Sequence, residues 1–342
     1  MATDLLLLIL SIIILLIGAE AMVRGASRLA LRMGISAFVV GVTVVGFGTS
    51  APELAASLAS VTSGHPEIAL GNVIGSNIMN IALVLGISAI VLPIPVKKNV
   101  VRKGTLIMIG VAFLPYLALV SSGRLERWMG ILFVLMLIAF LYYTWRSSRE
   151  EGGTPEEEEI EQIKPKAGLA SMTSELVLVC GGIGLLVLGA NVLVSSASNV
   201  ARAMGVSELV IGLTIVAGGT SAPELITSLV ATFRGNADLG VGNILGSCVF
   251  NILGILGITI VVVPIEVPAS VFAFDLPVMI TLSVACLPIF FTGKGISRWE
   301  GILLLVGWLI YTVLLYVGWP ASQEEDRTAA SIQPPPSTMR SS

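Results

Sequence analysis

Residues 41–93 of this 342-residue chain return, without a gap, as residues 212–264. At the constant offset of 171, 24 of the 53 aligned pairs are identical, among them Thr49/Thr220, Ser50/Ser221, Pro52/Pro223, Glu53/Glu224, Asn72/Asn243, Ser76/Ser247 and Asn80/Asn251. The offset persists at Gly18/Gly189, at Pro93/Pro264 and in the RWxGIL stretches that begin at Arg127 and Arg298. A fixed period of this kind marks a duplicated architectural unit, so whatever one half folds into, the other folds into as well.

The unit is a membrane unit. Hydrophobic residues make up 55% of the chain and charged residues only 12%, where a soluble domain carries about a quarter charged. Apolar runs recur at 4–23, 36–62, 66–93, 104–121, 127–145, 169–195, 207–233, 237–264, 270–292 and 297–318, and a spanning helix needs about 20 residues. The expected fold is therefore an all-α integral membrane protein of ten transmembrane helices. Five spans per repeat is an odd number, so the second repeat enters the bilayer inverted, and such repeats place a substrate site where their discontinuous helices meet. The expected organisation is a first repeat at 1–145, an acidic connector at 146–168, a second repeat at 169–319 and a disordered tail at 320–342. Spans 36–62, 66–93 and 237–264 are over-long and carry Gly, Pro and polar residues, so breaks are expected inside them. The N-terminal run lacks a basic n-region and an evident cleavage site, and reads as a first span rather than a signal peptide.

Lys and Arg are retained on the cytoplasmic side. With the N-terminus outside, inside loops hold 14 of them (Arg24 to Arg32, Lys97 to Lys103, Arg146 to Lys166, Arg234, Lys294 and Arg298), against 5 outside. The expected location is the plasma or inner membrane, with both termini outside and the connector cytoplasmic. Cys180, Cys248 and Cys286 lack metal-type spacing and read as packing residues. His65 reads as an exposed residue at a hairpin tip. Nothing in the chain points to a nucleic acid, an obligate protein partner, a nucleotide-binding loop or a cofactor motif.

In the second span Ser50 and Glu53 stand three apart and Thr49 and Glu53 four apart, giving one polar helix face that continues at Ser57. Pro52 has no N–H for the Gly48 carbonyl and its ring crowds that oxygen, while Gly46 and Gly48 permit unusual backbone angles. Carbonyls are thus freed beside a carboxylate. Pro223, Gly218, Gly219 and Glu224 repeat the arrangement. In the third span Asn72, Ser76 and Asn80 recur every four residues, with Gly71 and Gly75 leaving room for a neighbour, and Asn243, Ser247 and Asn251 do likewise. Small and hydroxyl residues in spans serve packing as readily as binding. A carboxylate is different, because an ionisable group inside a membrane is costly and by default functional. Glu20 has no acidic twin, its counterpart being Asn191, and both Glu20 and Asp275 are expected at water-accessible helix ends.

Brought together, the two copies supply two carboxylates, hydroxyls, amide oxygens and bare carbonyls, with no imidazole or thiolate. That set suits a hard cation: calcium takes six to eight oxygens at about 2.3–2.6 Å. Glu53 and Glu224, both bidentate, with the carbonyls of Thr49 and Thr220, approach that number. Two negative charges also balance one divalent ion. Emptied, two carboxylates about 5 Å apart repel by roughly 3 kcal/mol at an effective dielectric near 20. The site should therefore change its facing only when calcium, or at least two monovalent cations, occupy it, which is a physical route to obligatory exchange.

GTSAPEL followed by GNVIGSNIMN, and again by GNILGSCVFN, resemble the two alpha repeats of the cation/calcium exchanger superfamily, and within it the sodium/calcium exchangers. The resemblance implies sodium-driven calcium antiport by alternating access, with the first and sixth spans sliding against the rest. It puts calcium on Glu53 and Glu224 with the Thr49 and Thr220 backbone. It puts sodium on Ser50, Ser76, Asn80, Ser221, Ser247 and Asn251, with carbonyls near Gly46 and Ala217. Potassium-dependent members carry Asp where this chain has Asn251, and proton-coupled members carry an acidic third span that neither copy shows. Proton/calcium exchange is the nearest rival; a passive channel fits poorly, since a doubled carboxylate trap does not let ions leave easily. An intramembrane enzyme would need a nucleophile that the motifs do not offer.

Overall fold

The computed structural model describes residues 2–95, 98–150, 169–205, 217–292 and 295–332. Most of the expected connector (151–168), the first part of the seventh span (207–216) and the end of the tail (333–342) lie outside the described residues. In chain order the helices are α1 (Ala2–Met33), α2 (Ala37–Thr49), α3 (Ala51–Thr62), α4 (Pro66–Val91), α5 (Lys98–Ser122), α6 (Arg127–Glu150), α7 (Leu169–Ala203), α8 (Ala217–Thr220), α9 (Ala222–Phe233), α10 (Ala237–Val262), α11 (Val271–Phe291) and α12 (Arg298–Ile332). Among the described residues eight helices are long and apolar enough to cross a membrane, and nine if the bent pair α2 and α3 counts as one.

The duplication is visible in the boundaries. α9 begins and ends 171 residues after α3, and α10 begins and ends 171 after α4. Gly64 (φ 83°) and its counterpart Gly235 (φ 77°) turn the chain between these helices in the left-handed region that favours glycine.

α4 and α10 lie at the centre: 78% and 89% of their apolar windows are buried, against 33% or less in the other spans. Around them α5 packs on α11, α6 on the end of α10, and α12 on the end of α4. The pairs are two-fold related. A side-chain carbon added at Gly130 would lie 2.6 Å from the Gly257 carbonyl oxygen, and one at the counterpart Gly301 would lie 2.7 Å from that of Gly86. α1 and α7 pack along their length in antiparallel fashion, Gly18 meeting Leu185 and Gly25 meeting Val179. Their outer faces (Leu6, Ile9, Ile17, Val177, Leu188) are exposed apolar surface, as a bilayer requires.

Three expectations are corrected. Of the three over-long spans only 36–62 breaks; α4 and α10 stay continuous and instead widen into π-helical turns at Asn80–Val84 and Phe250–Leu256, which keep backbone hydrogen bonds that a break would forfeit. The fold is not purely helical. Strand Ile94–Pro95 (β1) pairs with Gly295–Ile296 (β4), and Arg124–Leu125 (β2) with Ile265–Glu266 (β3), which satisfies backbone groups where spans end. Finally, α12 runs through Pro320 to Ile332, because the Ala, Gln, Glu and Arg of its last turns are good helix formers on an existing helix.

Candidate functional site

The chain bends by 42° between α2 and α3 at Ser50, where φ is −81° and ψ is 4°. Pro52, in the first turn of α3, is the cause, since it cannot continue the hydrogen-bond ladder of α2. Ser221 (φ −86°, ψ 2°) makes the same break ahead of Pro223. Thr49 and Glu53, expected on one continuous helix face, therefore lie on either side of a kink. Thr49, Glu53 and Glu224 are buried to within 1% of full enclosure.

Each glutamate is braced by the next helix of its own repeat. Asn72 Nδ2 donates to the Glu53 carbonyl (3.1 Å) and to Ser57 Oγ (2.9 Å). Asn243 Nδ2 donates to the Glu224 carbonyl (3.4 Å) and to Ser228 Oγ (3.1 Å). The two sets match residue for residue at the offset of 171. Asn72 and Asn243, read as members of an oxygen-bearing stripe, thus spend their amide N–H groups on the turns that carry the carboxylates.

Other contacts cross between repeats. Ser50 Oγ donates to Glu224 Oε1 (3.3 Å), and Ser247 Oγ, 3.5 Å from the same oxygen within its own repeat, reaches across to the Gly46 carbonyl at 3.4 Å. Thr49 Oγ1 donates to Asn243 Oδ1 (3.0 Å). In the mirrored relation Ser221 faces Glu53, and the two carboxylates are near enough to repel each other. Ser76 is buried one turn before Asn80 on α4, and Thr220 ends α8 half-buried.

What remains is a set of oxygens with nothing to bind. Glu53 Oε2, Glu224 Oε2, Asn80 Oδ1, Asn251 Oδ1, Ser221 Oγ and Thr227 Oγ1 are buried without a hydrogen-bond partner. One such group costs about 1–3 kcal/mol. Acceptors drawn from α3, α4, α9 and α10 and left bare together are an arrangement that a desolvated cation satisfies. Among the described residues no group of three or more His, Cys, Asp or Glu is placed to hold a metal ion. Thr227 escaped the sequence reading because its counterpart is Ala56, and the duplication was the filter.

Away from this cluster, Glu20 on α1 is partly exposed and pairs with Arg24 and with Arg234 at the end of α9, Arg234 Nε donating to Oε2 at 3.0 Å. Arg32 and Glu175 join α1 to α7 at 2.9 Å. Asp275, expected at a water-accessible helix end, instead accepts from Tyr311 Oη (2.7 Å) and is partly buried, because α12 lies alongside. His65 is exposed; Cys248 and Cys286 are buried free thiols and Cys180 faces outward.

The family described as sodium/calcium exchanger protein matches residues 3–146 and 174–317, one segment in each repeat. The sodium/calcium exchanger MaX1 of Methanosarcina acetivorans is 31% identical over 345 aligned positions, covering 91% of this chain and 98% of its own. The inner membrane protein YrbG of Escherichia coli is 32% identical over 317, covering 91% and 96%. Among solved structures, the sodium-calcium exchanger NCX_Mj soaked with zero Na+ and Ca2+ superposes with a TM-score of 0.77 at 31% identity, covering 91% of this chain and 98% of that one.

Proposed function

We propose that this chain, which belongs to the sodium/calcium exchanger family, is a multi-pass secondary antiporter that exchanges Na+ for Ca2+ by alternating access. One observation carries the reading: two buried carboxylates at matching positions of a duplicated unit, each with an unpartnered oxygen, among further bare oxygens. In this reading Glu53 and Glu224, with the backbone of Thr49 and Thr220, take calcium. Ser50, Ser76, Asn80, Ser221, Ser247 and Asn251 take sodium in overlapping positions, so the two ions compete. Both are cargo, and the chemistry is coordination without catalysis.

The architecture proposed is ten spans in two inverted five-helix repeats, the tenth span being 207–233, of which 217–233 are described. Two features support it. Homologous helices α1 and α7 run antiparallel, and a two-fold axis that reverses spanning helices lies in the membrane plane. The strand pairs obey the same axis, since β1 with β4 maps onto β3 with β2 at the offset of 171. Alternation is supported by asymmetry: α1 packs extensively on α9, whereas its counterpart α7 barely touches α3. A duplicated sequence in an asymmetric state has a second state in which the roles are exchanged, and sliding of the α1/α7 pair would interconvert them. The cationic bias of loops and the inner-membrane relative favour a plasma or inner membrane with outside termini and a cytoplasmic connector.

The test is calcium uptake into liposomes holding the purified protein. Uptake driven by an outward sodium gradient and absent with a pH gradient alone supports sodium coupling. The reverse result identifies a proton-coupled exchanger.

A further inference from the structure

We infer that Asn77 is a positioning residue that holds the Asn251 amide with its oxygen turned into the cation site. This rests on the reading of Asn251 as a sodium ligand and goes beyond it, because Asn77 lies outside the ligand set.

Donors and acceptors fix the orientation of both amides. Asn77 on α4 and Asn251 on α10 are each 1% exposed, so water does not decide their orientation. Asn77 Nδ2 lies 3.6 Å from the Met279 sulfur, and a thioether accepts but cannot donate. The amide nitrogen of Asn77 is thereby committed to α11, and its oxygen faces the other way. That oxygen accepts from Asn251 Nδ2 at 3.2 Å. With its N–H group so engaged, Asn251 leaves Oδ1 without a partner, and that bare oxygen is the end a cation needs.

The alternative orientation fails at both ends. With Asn77 flipped, its oxygen would face the Met279 sulfur, acceptor against acceptor. Its nitrogen would then face Asn251, whose own flip would consume the oxygen and point an N–H group at the cation. Which end of an amide is oxygen follows from its partners, and here the relay from Met279 through Asn77 to Asn251 admits one solution.

The second repeat carries a thiol where the first carries the Asn77 amide. At the offset of 171, Asn77 corresponds to Cys248, Met279 to Met108 and Asn251 to Asn80. Asn80 interacts with Cys248 and likewise leaves Oδ1 bare. A thiol is a weak donor and a weak acceptor, so it orients an amide more loosely. The two amides of a nearly symmetric site are therefore held unequally, Asn251 tightly and Asn80 loosely. Calcium, held chiefly by the glutamates, should feel this less than sodium does.

The test uses the full-length protein in liposomes, with Na+ varied at saturating Ca2+ and Ca2+ varied at fixed Na+. Asn77→Leu and Asn77→Cys should raise the apparent KM for sodium about fivefold and about threefold, the size of one lost or weakened buried hydrogen bond. Their maximal rates and the KM for calcium should stay within about twofold. The cysteine variant guards against misfolding, because the other repeat carries Cys at this place. Asn251→Leu should raise the sodium KM further, and adding Asn77→Leu to it should change nothing more, since the two act through one oxygen. An unchanged sodium KM in N77C and N77L, with N251L impaired, overturns the role of Asn77 alone. An unchanged sodium KM in N251L overturns the ligand reading beneath it.

Discussion

Replacing Glu224 by Gln should make the cation-free protein more stable while abolishing transport. Glu224 Oε1 accepts from Ser50 and lies within reach of Ser247, and Oε2 has no partner. The glutamine side chain keeps the first oxygen, so the contacts that seat α9 against α2 and α10 survive. It exchanges the second oxygen for an N–H group, and the nearby acceptor in need of a donor is Glu53 Oε2. The empty site thereby loses a repulsion of at most roughly 3 kcal/mol, the figure for both carboxylates ionised about 5 Å apart at an effective dielectric near 20. At about 2–4 °C per kcal/mol the melting temperature in calcium-free, sodium-free buffer should rise by several degrees. The cost falls on binding. Removing one partner from a buried charge cluster costs about 3–5 kcal/mol, or two to four orders of magnitude in calcium affinity. Calcium should accordingly raise the melting temperature of the wild type and leave that of E224Q where it was, and sodium-driven uptake by the variant should be lost at any practical calcium concentration. Near-normal uptake by E224Q would refute the shared carboxylate site. A variant that melts lower than wild type without cations would refute the repulsion on which obligatory exchange rests.

Glu53→Gln should behave in the same way, since Glu53 is the duplicated counterpart of Glu224, equally buried, with Ser221 facing it; transport by either variant alone is the decisive observation. Asn72→Leu removes the donor to the Glu53 carbonyl and to Ser57, and should weaken calcium binding by about 1–3 kcal/mol without touching a ligand, read by isothermal titration. Gly182→Val places a side-chain carbon 2.7 Å from the Gly18 carbonyl oxygen and should part α1 from α7, lowering thermal stability by about 1–3 kcal/mol, with normal melting arguing against the close approach. Glu20→Gln cuts the tie from α1 to Arg234 and should shift the balance of outward and inward accessibility by a few-fold, as an exposed pair worth about 0.2–1 kcal/mol allows. Labelling of a cysteine introduced beside the site from each face reads that balance, and a Glu20→Arg, Arg234→Glu double exchange should restore it.

The duplication made the frame of this protein legible, because a hydrophobic run and its copy confirm each other. Helices α3 and α9, and α4 and α10, fall where the aligned motifs put them, and Glu53, Glu224, Asn80 and Asn251 each carry a buried oxygen without a hydrogen-bond partner. In α4 and α10 local polarity does not make a local break. The Gly, Ser and Asn residues of α4 and α10 bend no helix; they allow α10 to lie against α2, a carbon added at Gly246 meeting the Val42 carbonyl oxygen at 2.4 Å. The π-helical turns at Asn80–Val84 and Phe250–Leu256 leave no mark in spacing.

The features that escaped the sequence share a cause: they sit where the copies differ. Asn77 against Cys248 and Thr227 against Ala56 are mismatches in the alignment that identity between the copies does not mark, and for Glu20 against Asn191 the missing acidic twin is legible but the ion pair with Arg234 is not. Yet a carrier made of two identical halves would have two faces of equal energy and no preferred direction of rest. In the alternating-access reading proposed above, the matched residues would build a site that both states share, and the mismatched ones would set the energy difference between them. In this structure the tie between Glu20 and Arg234 joins α1 to α9, the contact that is present here and thin in its mirror image. The mirrored state would bring Asn191 towards Ser63 and form no such ion pair, so the asymmetry of rest is written in the residues that the duplication failed to copy.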